Sequence, residues 1–255
     1  MADKQTKAAG LEPLSAPDGA ARGFADANNV LRYNGGDLFS KFESPARVAE
    51  LVPRGSRVLD IGCSSGELTE YIRETRQAVV VGVEPEPARA RAAIARGLNV
   101  YQGVLTPSLV EKLGPFDIVL LVDVIEHLAA PADLLILARQ SLARGGALIL
   151  STPNIAHWSI RANLARGRFD YASTGLMDAT HLRWFTRRTL RQLLETSGYR
   201  IEHQDVSAGA WLSQYQAQRP WRWVAPERRA RLIRSLADRW PEMFGCQHII
   251  KAVPE

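Results

Sequence analysis

Three groups of residues in this chain have the types and spacing to do chemistry. The first is Asp60-x-Gly62-Cys63-Ser64-x-Gly66, with Glu84-Pro85 about twenty positions on. Glycines at 62 and 66 let backbone approach a ligand closely, and a carboxylate at 84 can accept both hydroxyls of a ribose. The second is Asp123, Glu126 and His127, spaced i, i+3, i+4, which on a helical turn would share one side. Three uses fit it. Its oxygen and nitrogen donors suit a hard or borderline divalent ion, His127 suits a general base for an acceptor hydroxyl, and the Glu-His pair also suits a packed helix start. The third is His181, three residues after Asp178, where a carboxylate partner would raise imidazole basicity. The alternative for His181 is a tether holding the helix that begins at Thr186.

These residues need elements to hold them. Arg57 to Ile61, Ala78 to Val83, Asn99 to Gln102, Phe116 to Val122 and Ala147 to Ser151 read as short, buried, β-branched strands. Between them Glu67 to Thr75, Pro87 to Arg96 and Pro131 to Leu142 read as helices, the last ended by Gly145-Gly146, with a further helix at 44–51 capped by Ser44. Alternating strand and helix over 57–151 predicts an α/β, doubly wound, mostly parallel sheet. Its first strand-to-helix loop lies where such sheets bind ligands. The glycine spacing there is D-x-G-x-x-x-G, not the G-x-G-x-x-G of a pyrophosphate turn, and acidic Glu67 opens the helix. Both features favour a cationic sulfonium ligand over a dinucleotide.

VLDIGCSSG, VVGVEP, FDIVLLVDVIEHL and LARGGALILSTPN together resemble the successive motifs of class I S-adenosylmethionine-dependent methyltransferases. The resemblance implies a Rossmann-like seven-stranded sheet with an antiparallel last strand and a small cap. It implies S-adenosylmethionine as cofactor, with Asp60, Gly62, Cys63, Ser64, Gly66, Glu84, Pro85 and Asp123 forming the donor site. Ser64 departs from the family's usual middle glycine, and Gln102-Gly103-Val104 lacks the usual acidic adenine contact. The stretch Asp123-x-x-Glu126-His127 is similar to ubiquinone-pathway O-methyltransferases, where such a stretch is associated with a metal. The working expectation here is no dedicated metal ligands, with Glu126, His127 and His181 as the catalytic set and a divalent metal as the alternative. The segment from Pro153-Asn154 to Phe185-Thr186 resembles bacterial methyltransferases that occur with glycan and other secondary biosynthesis. An Asn/Asp-Pro-Pro-aromatic motif is missing after the fourth strand, which disfavours amino-group acceptors, and no cysteine follows proline. Transfer to a hydroxyl of a small molecule or glycan precursor is the leading expectation. An RNA or protein methyltransferase, or a non-catalytic binder of the donor, is the alternative.

Past Ser151 the alternation breaks. Residues 153–181 are polar-aromatic and lack clear periodicity, which is common in functional segments. Trp158, Phe169, Tyr171, Trp184 and Phe185 could stack on an acceptor or form the cap's own core. Thr186 caps a helix to Thr196, residues 200–206 and 248–253 read as strands, and 226–240 as a basic helix. Charge is uneven: residues 1–150 carry 16 Lys/Arg against 18 Asp/Glu, and 151–255 carry 16 against 9. Arg222, Arg228, Arg229, Arg231, Arg234 and Arg239, with Trp211, Trp221, Trp223 and Trp240 in the same region, could place the 226–240 helix on an anionic membrane; nucleic acid is the less favoured partner. The alternative is an exposed helix with its tryptophans packed inward. Residues 1–30, rich in Ala, Gly, Pro and charge, read as a disordered tail, and 31–255 as one domain with a cofactor half (45–152) and an acceptor half (153–255). With two cysteines, no secretory h-region and no apolar run of roughly 18 residues, a cytoplasmic setting is expected.

Overall fold

The structure, a computed structural model, describes residues 39–217 and 221–255. The expected tail at 1–30 lies outside the described residues. Seven strands form one sheet in the order β3-β2-β1-β4-β5-β7-β6. They are β1 (Arg57–Ile61), β2 (Val79–Glu84), β3 (Asn99–Gln102), β4 (Phe116–Val122), β5 (Leu142–Pro153), β6 (Tyr199–Val206) and β7 (Gln247–Pro254). The first five pair in parallel, and β7 enters antiparallel between β5 and β6. This is the expected Rossmann-like topology. Chain order reverses between β1 and β4, so the ends of those strands flank the switch-point crevice.

The strands are apolar on both faces because both are covered. One face packs Leu59, Val119, Leu148 and Ile250 against α4 (Pro107–Leu113), α5 (Pro131–Gln140) and α7 (Arg187–Thr196). The other packs Val58, Ile118, Ile149 and Ile249 against α1 (Ser44–Leu51) and α2 (Glu67–Arg76). A third apolar cluster, around Ile160, Leu176, Leu212, Tyr215 and Ile233, is the cap's own core. It draws on α6 (Trp158–Leu164), α8 (Ser213–Gln216) and α9 (Pro226–Arg239), with α10 (Pro241–Phe244) leading into β7. Helix α3 (Pro87–Ala95) completes the set. Among the described residues no helix is long and apolar enough to cross a membrane.

Four local expectations are corrected. Ser44 is not the cap of α1: Glu43 holds that position, and its side chain turns away to the amides of Gly209 and Ala210. Gly145-Gly146 does not end α5, which stops at Gln140; the pair lies inside β5, where the register against β4 shifts. The 153–181 segment holds α6, whose cap residue His157 is fully buried. Helix α4 was not expected, although Thr106 caps it by accepting from the Leu109 amide and Pro107 follows at the first helical position.

Candidate active site

The end of β1 and the start of α2 make a turn that only small residues permit. Gly62 sits at φ +77°, and a Cβ there would lie 2.7 Å from the Val124 side chain. Gly66 sits at φ +87°, with a would-be Cβ 2.4 Å from Leu98. Ser64, at the family's glycine position, takes the same left-handed backbone at φ +52°. That conformation costs a non-glycine residue roughly 1–2 kcal/mol. A charge-assisted bond offsets it: the Ser64 amide donates to Glu84 Oε2 at 2.8 Å. The Glu86 amide donates to Oε1 of the same carboxylate at 2.9 Å, so Glu84 fastens the turn to the end of β2. Each oxygen keeps acceptor capacity for a ligand hydroxyl.

Asp60 lies beneath this turn, 3% exposed, and accepts from Thr69 Oγ1 at 2.6 Å. Burial, opposed by that hydrogen bond and helped by the Glu84 charge, lifts its pKa to about 6. Cys63 is buried against Gly82, and burial raises its thiol so far that it is no nucleophile. Pro85 is exposed at the mouth. Glu67 is not a free negative charge at the helix start. Arg96 binds it at 2.7 Å and Ser65 Oγ donates to it at 2.8 Å, which weakens the electrostatic argument against a pyrophosphate made from the sequence.

On the neighbouring strand end, the expected helical turn is replaced by a sharper device. Asp123 is left-handed at φ +54°, and only Ile125–His127 coil, as a single 3₁₀ turn. Asp123 is held there by Ser151 Oγ at 3.0 Å and by Gln247 Nε2, which spans both carboxylate oxygens at 2.7 and 2.8 Å. Glu126 is 1% exposed. Thr152 Oγ1 donates to its Oε2 at 3.1 Å, and among the described residues Oε1 has no partner. Burial, with the charges of Asp123 and Asp178 added, pushes the Glu126 carboxyl well above its ordinary value.

The loop carrying His181 is pinned to this turn, because the amides of Leu182 and Arg183 both donate to the Glu126 carbonyl. The His127 and His181 rings meet edge to face at 4.9 Å. His127 Nδ1 lies 3.2 Å from both the carbonyl and the hydroxyl of Thr180. That hydroxyl gives its own proton to Asp178 Oδ1 at 2.6 Å. The proton between Nδ1 and Thr180 must then come from the imidazole, which leaves Nε2 of the neutral ring with a lone pair. One ligand atom each from Glu126, His127 and His181 lies within 4.8 Å of the others, so the three can also hold a divalent ion.

Asp123, Glu126, His127 and His181 thus line one cavity, as their residue types suggested. It encloses only about 40 Å³, well below the roughly 300 Å³ of a typical ligand pocket. The donor turn adjoins it through the close approach of Gly62 to Val124. Thr152, Thr180, Gln247 and Trp211 went unrecognised in the sequence. They come from distant segments and carry no local motif. Of the cap aromatics, Phe185 is in the main core and Trp158 packs on Tyr215, while Phe169, Tyr171 and Trp184 form their own partly exposed cluster. Trp211 is the aromatic side chain on the cavity wall.

A family model described as a methyltransferase domain matches residues 37–204. The chain belongs to the methyltransferase family. Among curated proteins, this methyltransferase is 37% identical over 105 residues to a ubiquinone biosynthesis O-methyltransferase of Caulobacter sp. strain K31, covering 39% of this chain and 42% of that protein. It is 38% identical over 108 residues to the one from Roseobacter denitrificans, covering 40% and 42%. The matched region is thus about two fifths of the length of these relatives. Among solved structures, an S-adenosylmethionine-dependent methyltransferase from Archaeoglobus fulgidus shares the fold, with a TM-score of 0.53 and 21% identity over 84% of this chain and 97% of that one.

Proposed function

We propose that this methyltransferase moves the methyl group of S-adenosylmethionine to a hydroxyl of a small molecule, glycan precursors included. The observation that carries the reading is the fixed tautomer of His127. Thr180 holds its Nδ1–H and leaves Nε2 as a base on the cavity wall, beside the donor turn. The two relatives supply a second support, since both are ubiquinone biosynthesis O-methyltransferases. Asp60, Gly62, Cys63, Ser64, Gly66, Glu84, Pro85 and Asp123 would form the donor site. Glu84 would take the ribose and Asp60 the ammonium side of the amino-acid part. The cavity aligns the acceptor oxygen with the methyl and sulfur for in-line displacement. His127 Nε2 accepts the hydroxyl proton as the carbon–oxygen bond forms and the carbon–sulfur bond breaks. His181, edge-on to the same ring, and buried Glu126, with Oε1 left open, confine the acceptor.

One observation favours a second use of the same residues. The unpartnered, buried Glu126 Oε1 lies in the cluster with the His127 and His181 nitrogens, which fits a divalent cation. Such an ion would supply Lewis-acid polarisation of the acceptor hydroxyl. We further propose that residues 31–255 act as one domain in the cytoplasm. The deciding experiment is calorimetric titration with S-adenosylhomocysteine, followed by a labelled-methyl transfer screen over hydroxylated small molecules, with and without a chelator. Micromolar product binding plus transfer to oxygen supports the reading. Binding without transfer to any acceptor points to a donor-binding protein, and no binding by folded protein defeats it. Loss of transfer with chelator, restored by Mg²⁺, selects the metal use.

A further inference from the structure

A second cavity lies away from the chemistry. It measures about 260 Å³ and shares no wall residue with the catalytic cavity. It lies where the start of α7, the ends of β6 and β7, and the last turn of α9 come together. One side is polar, made by Arg187, Gln204 and His248. Val206, Ala237, Pro241 and Ile250 supply the apolar part of the wall, beside Asp205 and Asp238.

The polar side is unfinished in a specific way. Gln204 Oε1 takes Arg187 Nε at 2.8 Å, Arg187 Nη2 at 2.6 Å and Arg191 Nη2 at 3.3 Å. Three guanidinium donors on one atom fix which end of the amide is oxygen. Its Nε2 is therefore a donor, and among the described residues it is buried without a partner. His248 is 2% exposed, and its Nε2 is likewise buried without a partner among the described residues. Burial first, and the Arg187 charge second, lower the His248 pKa to about 4, so the imidazole is neutral at pH 7. Native proteins seldom leave two buried polar nitrogens unpaired beside one cavity unless something else pairs with them.

The charge around the cavity selects the sign of the missing group. The two acids at its wall are already spoken for: Asp205 binds Arg47 and Arg234, and Asp238 binds Arg234 at 2.5 Å. Arg187 keeps its charge, because its partner Gln204 is neutral. A cation would meet this guanidinium and the Gln204 amide donor; an acceptor anion satisfies both, and also His248 in the tautomer that carries its proton on Nε2. The apolar remainder favours carbon attached to that anion over a bare inorganic ion, and the size is below that of a drug-like ligand.

We propose that this cavity binds a small organic carboxylate, held by Arg187, Gln204 and His248. It is a site separate from methyl transfer, so it stands or falls independently of the acceptor assignment. The probe is succinate, titrated calorimetrically into the full chain, with inorganic phosphate and S-adenosylhomocysteine as comparison ligands. We expect one submillimolar succinate site, with phosphate roughly tenfold weaker. Gln204→Leu and Arg187→Gln should each weaken succinate roughly tenfold while leaving S-adenosylhomocysteine affinity unchanged. In the wild-type chain, succinate should shift the His248 imidazole nitrogen signals. That reading decides the matter if either variant fails to fold. The proposal is overturned by absence of succinate binding at millimolar concentration, by unchanged affinity in both folded variants, by phosphate binding as tightly, by competition from S-adenosylhomocysteine, or by unmoved His248 signals.

Discussion

Asp60 and His127 illustrate how burial and one neighbour set a residue's chemistry. Asp60 titrates near pH 6 because it is buried; the Thr69 hydrogen bond only partly offsets that burial, and Glu84 adds a smaller repulsion. A cationic ligand group beside it would favour the charged form. Donor binding should then release a proton, and affinity for S-adenosylhomocysteine should rise as pH increases from 5 to 7. Asp60→Asn should weaken binding and flatten that dependence; calorimetry at several pH values measures both. An unchanged slope in the variant would remove Asp60 from the donor site. The same carboxyl affects stability with a defined sign. A carboxyl raised in the folded state stabilises at pH below its unfolded value of about 3.8 and loses that contribution as pH rises through 6. At the acceptor side, His127→Gln should lower kcat by about 10²–10⁴-fold with little change in S-adenosylhomocysteine affinity. Thr180→Val should produce a smaller kcat loss by freeing the ring, while loss of product binding in either variant would mean a structural role. Stopped assays beside calorimetry separate these outcomes.

At the scale of elements, the strands were legible because parallel strands buried on both faces announce themselves as β-branched runs. β1, β3 and β4 begin and end where Arg57–Ile61, Asn99–Gln102 and Phe116–Val122 predicted. Short pieces were not legible. α8 and α10 are single turns, too short for periodicity to show; α8 is fixed by Tyr215 in the cap core and α10 lies against α9. α4 did carry a signal in Thr106-Pro107 that went unused. For the site, residue types marked Asp123, Glu126, His127 and His181, but their convergence depends on Thr152, Thr180 and Gln247, whose partners are 26 to 124 positions away. α7 begins with a complete capping box, the Thr186 and Thr189 hydroxyls each accepting the other's backbone amide. Thr186→Ala should cost about 1 kcal/mol in urea unfolding, because the helix also packs Leu190 and Leu194 into the core and will not melt alone. α9 buries Ile233 and Ala237 and ties Arg234 to Asp205, while Leu232, Trp223 and Trp240 remain more than half exposed. The inward-packing expectation holds for Trp211 and Trp221, which pack on the cap core, and fails for the other two. If that basic outer face meets anionic membranes, sedimentation with anionic but not neutral vesicles should be seen. It should fall with salt and with Trp223→Ser.

For the molecule as a whole, the cap is a second core laid over the sheet, and it has its own acid sensitivity. His157 is fully buried there, with Nδ1 on Ser159 Oγ at 2.8 Å and Nε2 on the Tyr215 hydroxyl at 3.2 Å. Burial lowers its pKa to about 4. A depressed histidine contributes stability above its unfolded value of about 6.5, and that contribution is lost as pH falls through 4, amounting to about 3 kcal/mol. Protonation would break the Tyr215 and Ser159 contacts of the cap cluster, not those of the sheet. The sequence supplies a clean reporter: all six tryptophans fall in residues 153–255, so tryptophan fluorescence follows the cap half while far-UV circular dichroism follows the whole. On acidification from pH 7 to 4, the fluorescence transition should come first, at higher pH than loss of ellipticity. His157→Asn, neutral throughout, should bring the two together. Coincident transitions in the wild type would mean that cap and sheet unfold as a single unit. The same looseness bears on function. The cavity lined by Glu126, His127 and His181, at about 40 Å³, is smaller than a typical ligand pocket, so under the proposed function the 172–182 loop or Trp211 must move to admit an acceptor. A cap that opens more readily than the sheet is what such entry requires. Hydrogen exchange in 172–182 and 209–217 should therefore be faster than in β1 and β4, and should slow when S-adenosylhomocysteine and acceptor are bound together.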